Sequence, residues 1–151
     1  MLITIDINKI DMNKIKILDK QKNNIITNGN FYKILYHEKE FSLNGIYINF
    51  TLNDVKIDNY FNKLKCSFNI IENKEIVDKI VNLEQELLNK NNFDSKLITS
   101  IKDILDQGNI KIFSNGFNNI NNVKNIDLIL KISGIWSDKN NKGVTFKFML
   151  P

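Results

Sequence analysis

The chain has no arginine and no alanine, and it has one residue each of cysteine, histidine, tryptophan and proline. Without arginine there is no planar guanidinium group, so lysine must make any contact with phosphate. The single cysteine excludes an internal disulfide and favours a reducing compartment. Cys66 lies in a strand-like run, and we interpret it as a small buried hydrophobe.

Catalytic signatures are equally scarce. Neither of the glycine-rich phosphate-binding patterns, GxxxxGK[ST] and GxGxxG, occurs. His37 falls in a predicted turn, where an exposed histidine without a special role is the favoured interpretation, and it has no second imidazole with which to bind a metal. A solvated helix face explains the acidic pairs Glu72/Glu75 and Glu84/Glu86. We therefore expect no enzymatic activity, no cofactor and no bound metal.

Long apolar runs are also missing. No segment approaches the roughly 20 apolar residues that span a bilayer. The first ten residues, MLITIDINKI, alternate and carry an acid, unlike a signal peptide. We expect an intracellular protein without a membrane partner.

The residues that are abundant point to an unusual genome and a mildly basic protein. The chain has 26 asparagines, 26 isoleucines and 21 lysines, all with A/T-rich codons, which indicates an A+T-rich genome. The net charge of +4 is compatible with a nucleic-acid partner. With 151 residues, 42% of them hydrophobic, we expect one domain spanning residues 1–151.

Alternation with a period of two predicts several strands. The Asn-Gly pairs at positions 28–29 and 44–45 predict turns, and a third turn is predicted at 37–39. The predicted strands cover residues 1–7, 14–17, 30–36, 40–43, 45–52, 63–70, 109–113, 128–136 and 144–150.

Between residues 73 and 107 the apolar period changes to 3.6. A first helix is predicted from Asn73, its N-cap, and a second from Asp94 to Gln107, ending at Gly108. Strands followed by helices and further strands predict an α+β fold. We expect an antiparallel, barrel-like sheet of OB type, with a two-helix insert between the early strands and a C-terminal hairpin.

The C-terminal hairpin has one apolar and one cationic face. Leu128, Leu130 and Ile132 alternate with Lys131 and Ser133. Val144, Phe146 and Phe148 alternate in the same way with Thr145 and Lys147. This is the pattern of an antiparallel strand pair with one side in water.

Trp136 is in phase with the apolar face, at the mouth of a seven-residue polar loop, SDKNNKG, that contains Lys139 and Lys142. An indole beside such a loop is suited to stack on an unpaired base while lysines contact phosphates. Capping the end of the sheet is the alternative role for Trp136.

Aromatic residues and lysines alternate elsewhere as well. Tyr32 and Tyr36 share a phase in one predicted strand, next to Lys33, and Tyr47 lies in another. The candidate nucleic-acid-binding residues are therefore Trp136, Tyr32, Tyr36, Tyr47, Lys33, Lys131, Lys139, Lys142 and Lys147.

Two segments, FYKILYHEKEFSLNGIYINFTL (31–52) and LILKISGIWSDKNNKGVTFKF (128–148), resemble small proteins of nucleocytoplasmic large DNA viruses, the group of mimivirus-like viruses and phycodnaviruses. The order of elements is loosely similar to viral single-stranded-DNA-binding proteins built on an OB-type barrel. Phage-like members of that family carry an acidic C-terminal tail, whereas no acid follows Asp138 here.

The resemblance implies a viral protein that binds single-stranded nucleic acid without sequence preference, DNA rather than RNA, in the host cytoplasm or viral factory. A replication role would follow. The alternative is a viral structural or interaction protein, such as a minor virion component or scaffold, that forms homo-oligomers through sheet edges.

Overall fold

The computed structural model describes residues 2–23, 29–60, 62–90, 95–113 and 123–151. These ranges contain two α-helices, α1 (Lys74–Asn89) and α2 (Ser100–Asp106). They also contain twelve strands: β1 (Ile5–Asp6), β2 (Ile15–Ile17), β3 (Gln21–Asn23), β4 (Gly29–His37), β5 (Ser42–Asn44), β6 (Ile46–Leu52), β7 (Val55–Tyr60), β8 (Lys63–Phe68), β9 (Lys96–Ile98), β10 (Asn109–Phe113), β11 (Ile126–Ser137) and β12 (Asn141–Met149).

The strands form two sheets, so the expected α+β class is confirmed. The main sheet has nine strands, of which five follow the order β1-β6-β11-β12-β9. The strand β4 pairs with the second half of β11, past the part that pairs with β6, and β2, β3 and β5 pair with β4. The small sheet has the order β10-β8-β7. Of the strand pairs in the described residues, β1–β6 and β9–β12 are parallel and the others antiparallel. The described part of the main sheet ends at the short strands β1 and β9, which do not pair, so the expected barrel-like closure is corrected to two open sheets.

Alternation places one hydrophobic core between the sheets and the helices. The inner face of the main sheet carries buried side chains from β4, β6 and β11, in register across the strands. Buried residues of β8, β10, α1 and α2 belong to the same cluster. Each sheet therefore has an inner face toward this core and an outer face away from it.

The longest strand, β11, contains an irregularity that changes which side its residues face. It pairs with β6 through its first half, with β4 through its second half, and with β12 along its other edge. Ile132 lies opposite Phe146, but Gly134 lies opposite Thr145. Two steps along β11 match one step along β12, so this β-bulge inverts the phase of every later residue in β11.

Gly45 makes room for the bulge. It has a φ of +79°, and a Cβ built on it would lie 2.8 Å from the carbonyl oxygen of Ile132. A glycine is required because both the left-handed backbone and the close approach exclude a side chain. The Asn44-Gly45 pair, which was predicted to form a turn, is the corner between β5, which pairs with β4, and β6, which pairs with β11. Asn28, in the other predicted turn, lies outside the described residues.

The predicted first helix is confirmed, but its N-cap makes different contacts. The Asn73 side chain does not cap α1. Its Oδ1 accepts the Asn53 amide at 2.8 Å, and its Nδ2 donates to the carbonyls of Asn53 and Asn69, each at 2.8 Å. Asn73 is nearly fully buried, so these bonds fasten the β6–β7 corner to the start of α1.

The second helix is shorter than predicted. It begins at Ser100, because Leu97 and Ile98 belong to β9, which pairs in parallel with β12. Gly108, with a φ of +75°, follows its end as expected. The predicted cap Asp94 lies outside the described residues. Sequence patterns also missed β3 and β7, and the predicted strand at 1–7 is reduced to the two residues of β1.

Glu84 is buried, which corrects its interpretation as part of a solvated helix face. It projects from α1, and its carboxylate accepts the backbone N–H groups of Ile101 at 2.9 Å and Lys102 at 3.0 Å. It thereby satisfies two amides in the first turn of α2. Burial raises the pKa of Glu84 above its ordinary value, although the two amide hydrogen bonds oppose this effect.

We predict that Glu84→Ala lowers the free energy of unfolding by about 2–4 kcal/mol, because two amide donors lose their acceptor. Glu84→Gln, which keeps a carbonyl acceptor and carries no charge, should be affected less. The pKa of Glu84 is higher in the folded state than its ordinary value of 4.5, so between these two values the folded state binds more protons than the unfolded state. The free energy of unfolding therefore falls as the pH rises from 4.5 through the folded-state pKa. Urea unfolding at pH 4 and pH 7 should show wild type losing stability relative to Glu84→Gln. An unchanged difference would contradict this.

Candidate functional site

The outer face of the main sheet gathers several of the predicted binding residues. The register of β4, β6, β11 and β12 places on it aromatic, cationic and small polar side chains that point away from the core. The name "outer face" is used below for Phe31, Lys33, Tyr47, Lys131, Trp136, Thr145 and Lys147.

Trp136 lies on this face because of the bulge in β11. The sequence phase placed it with the apolar residues, and the structure corrects this: Trp136 pairs with Gly143, two residues along β12 from Thr145. A Cβ built on Gly143 would lie 2.7–2.8 Å from the indole atoms Cζ2, Cε2 and Nε1. The ring therefore rests on the Gly143 backbone, and the side chain is half-buried rather than enclosed.

A second aromatic ring lies beside the indole. Phe31 is the cross-strand neighbour of Trp136, and a Cβ on Gly134 would lie 2.6 Å from Phe31 Cζ. Each of the two rings thus covers a glycine on an adjacent strand. Phe31 was not among the predicted site residues. Its alternation with Tyr32 could have identified it, since the two residues must face opposite sides of β4.

Three of the predicted lysines share this face. Lys33 and Lys147 are exposed, and Lys131 is half-buried with its Nζ 5.5 Å from the centroid of the Tyr47 ring. Tyr47 is opposite Lys131 in β6, which makes this a cross-strand cation–π pair. The ion pairs found in the described residues involve Lys14, Lys74, Lys79 and Lys102, and so none of the three outer-face lysines.

Other predicted residues are directed elsewhere. Tyr32 and Tyr36 are 7% and 2% exposed and belong to the core, so they cannot stack on a ligand. Lys142 is 2% exposed, and burial lowers the pKa of its ammonium group. It is paired with Ser137 on the inner side of the hairpin. In β4, Tyr32 and Tyr36 have the opposite phase to the outer-face residues, and in β12 Lys142 has the same phase as the buried Val144. All three side chains therefore point to the interior.

The predicted seven-residue loop is a tight turn of three residues, because β11 extends to Ser137 and β12 begins at Asn141. Asp138 organises the turn: its Oδ1 accepts the backbone N–H groups of Asn140 at 2.8 Å and Asn141 at 2.7 Å. These bonds lower the pKa of the Asp138 carboxyl. Lys139 is exposed at the tip of the turn.

Acidic side chains gather at one end of the same face, because Asp127 has the same phase in β11 as Lys131. The Asp127 carboxylate, at the start of β11, accepts the Thr51 hydroxyl at 2.6 Å. Asp127 lines an open cleft of about 780 Å³ together with Asp6, Glu72 and Glu75. Lys79 is the cationic side chain of this cleft, so its acidic lining opposes the binding of a polyanion.

Cysteine and histidine each occur once in the chain, and the structure describes both residues. Cys66 is fully buried as predicted, and burial raises the pKa of its thiol to about 11. His37 is exposed, with Nδ1 2.8 Å from the Ser42 hydroxyl. Within the described ranges, no three residues among His, Cys, Asp and Glu are grouped so as to hold a metal ion.

No protein-family model, curated protein or solved structure matches the chain. In the part of the chain that the structure describes, neither helix is long and apolar enough to cross a membrane.

We predict that Gly143→Ala displaces the indole, because the new methyl group would occupy the space of the Trp136 ring. The ring should become more exposed, with a red shift of the tryptophan emission and a stability loss of about 1–3 kcal/mol. Since the chain has one tryptophan, its emission reports this site alone.

Gly134→Ala provides the comparison. A Cβ there would lie 2.3 Å from the Tyr32 carbonyl oxygen, which belongs to the backbone and cannot rotate away. Its stability loss should therefore be the larger of the two. An emission maximum unchanged in Gly143→Ala would contradict the packing of the indole on Gly143.

Proposed function

We propose that the chain binds single-stranded nucleic acid through the outer face of the main sheet, without strong sequence preference. The supporting observation is that Trp136 and three lysines, none of them in an ion pair found in the described residues, lie on the same side of adjacent strands. The viral setting, the preference for DNA and a role in replication belong to the same proposal.

Base stacking is assigned to Trp136, with Phe31 beside it. One side of the indole covers Gly143, and the ring is half-buried, so its opposite side is the one available to a ligand. Stacking on an aromatic ring tolerates any base and contributes about 1–3 kcal/mol for each base. Tyr47 is a weaker candidate because the Lys131 ammonium already lies over its ring.

Phosphate contacts are assigned to Lys33, Lys131 and Lys147, with Lys139 at the hairpin tip. Lysine acts as a point charge, so these contacts give little sequence information. The proposal keeps the ligand class implied by the OB-type resemblance but uses an open sheet face instead of a barrel groove.

We predict that Trp136→Ala weakens binding to a fluorescently labelled oligo-dT by about 1–3 kcal/mol, measured by anisotropy. Phe41→Ala is a matched control, since Phe41 is 45% exposed and lies before β5, outside the outer face. Circular dichroism should show both variants folded. Equal affinity of Trp136→Ala and wild type would refute the role of the indole.

We also predict a steep salt dependence. Neutralising about four phosphates should give a slope of roughly −3 in log K against log salt concentration, at about 0.7 for each contact on a single strand. Replacing Lys131 and Lys147 by Gln should reduce the slope by about 1.4. A slope near zero for wild type would contradict phosphate binding.

A second candidate function is homo-oligomerisation in a structural role. Among the described strands, β12 pairs with β9 only at Asn141–Gly143, so the rest of that edge has no strand partner. Such an edge can pair with another chain. Light scattering with and without oligo-dT tests it: a stable oligomer indifferent to the oligonucleotide would favour this function.

A further inference from the structure

We infer that the outer face of the small sheet is a second, separate binding surface for single-stranded nucleic acid. It shares the ligand class of the proposed function but uses none of the same residues. This surface, called the small-sheet face below, consists of Lys56 and Asp58 from β7, Lys63, Lys65 and Ser67 from β8, and Asn109, Lys111 and Phe113 from β10.

The small-sheet face forms because β8 and β10 alternate strictly. Leu64, Cys66 and Phe68 of β8 are buried, as are Ile110 and Ile112 of β10. The residues between them must therefore point away from the core. The antiparallel register then aligns them across the strands, with Lys63 opposite Phe113 and Lys65 opposite Lys111.

The Phe113 side chain is 73% exposed, compared with 45% for Phe41. The Lys63 ammonium lies 5.1 Å from the centroid of its ring. A ring so exposed, held beside a cation, can stack on a base while the ammonium group contacts the adjoining phosphate.

The charges of this face are unbalanced. It carries four lysines and one acid, Asp58, and the ion pairs found in the described residues include none of them. Lys65 and Lys111 lie directly opposite each other and line, with Lys63 and Leu64, a shallow opening of about 280 Å³. Asp58 lies opposite Lys65 on its other side and offsets one of the four positive charges. Three positive charges remain in excess on this face, and so charge complementarity selects a phosphate backbone as the occupant.

The test uses two signals that distinguish the two faces. Anisotropy of a labelled oligo-dT reports binding anywhere on the protein, whereas quenching of the single tryptophan reports binding at the outer face of the main sheet. Phe113→Ala should weaken the anisotropy-detected binding that persists in Trp136→Ala by about 5- to 150-fold, the effect of losing one stacked base. It should leave the quenching curve of the Trp136-containing protein unchanged.

A double variant tests the phosphate contacts. Lys65→Gln with Lys111→Gln should reduce the salt slope of the same binding by about 1.4. Its melting temperature, measured alongside, should be unchanged, which would show that a loss of binding is not caused by unfolding. Lys9→Gln with Lys39→Gln is the matched control. Both lysines are exposed and lie outside the two faces, and their replacement lowers the net charge by the same amount. Ile71→Ala, at a site 84% exposed, is the control for Phe113→Ala.

The outcomes separate the two proposals. Normal quenching with no effect of the Phe113 and Lys65/Lys111 variants overturns the second surface and leaves the first. Binding that is lost in these variants, without any quenching in wild type, supports the second surface and overturns the first. Affinity for an anionic vesicle of phosphatidylserine and phosphatidylcholine, without affinity for oligo-dT, would overturn both.

Discussion

One additional residue in β11 determines the arrangement of the main sheet. The bulge between Ile132 and Gly134 moves every later residue of the strand to the opposite side. Before it, Leu128, Leu130 and Ile132 face the core, and after it Ile135 does. Without that shift the indole of Trp136 would face the core and Ile135 would face water. The bulge in turn depends on Gly45, which alone among residue types fits the close approach to the Ile132 carbonyl.

The two sheets have the same design at different scales. Each buries an alternating apolar face in the common core and turns a face with aromatic rings and lysines away from it. In the main sheet the rings cover glycines and are half-buried, whereas in the small sheet Phe113 is largely exposed beside Lys63. Acids gather near Asp6, Glu72 and Asp127, at the end of the main sheet where β11 begins. The outer face of that sheet therefore has an acidic end and a cationic end, although the chain carries only a modest net charge.

Local sequence patterns predicted most of the strands and helices, but not how they pair or which side chains they bury. Alternation identified β4, β6, β10 and β12, and Gly108 marked the end of α2. The strand β7 was missed because its sequence, VKIDNY, is interrupted by Asp58 and Asn59, and β9 was assigned to a helix because Leu97 and Ile98 fit the helical stripe. The side of Trp136 depends on a bulge, and the burial of Tyr32 and Glu84 on distant partners, none of which a local pattern contains.

The central place of β11 also bears on how the chain reaches its native state. Its neighbours β4 and β6 come from the first third of the sequence, while β11 and β12 come from the last part. During synthesis on the ribosome, the early strands therefore emerge long before the strand that joins them. Closing such long loops is entropically costly, so folding should be slow for a protein of this size, with assembly of the large sheet as its late step.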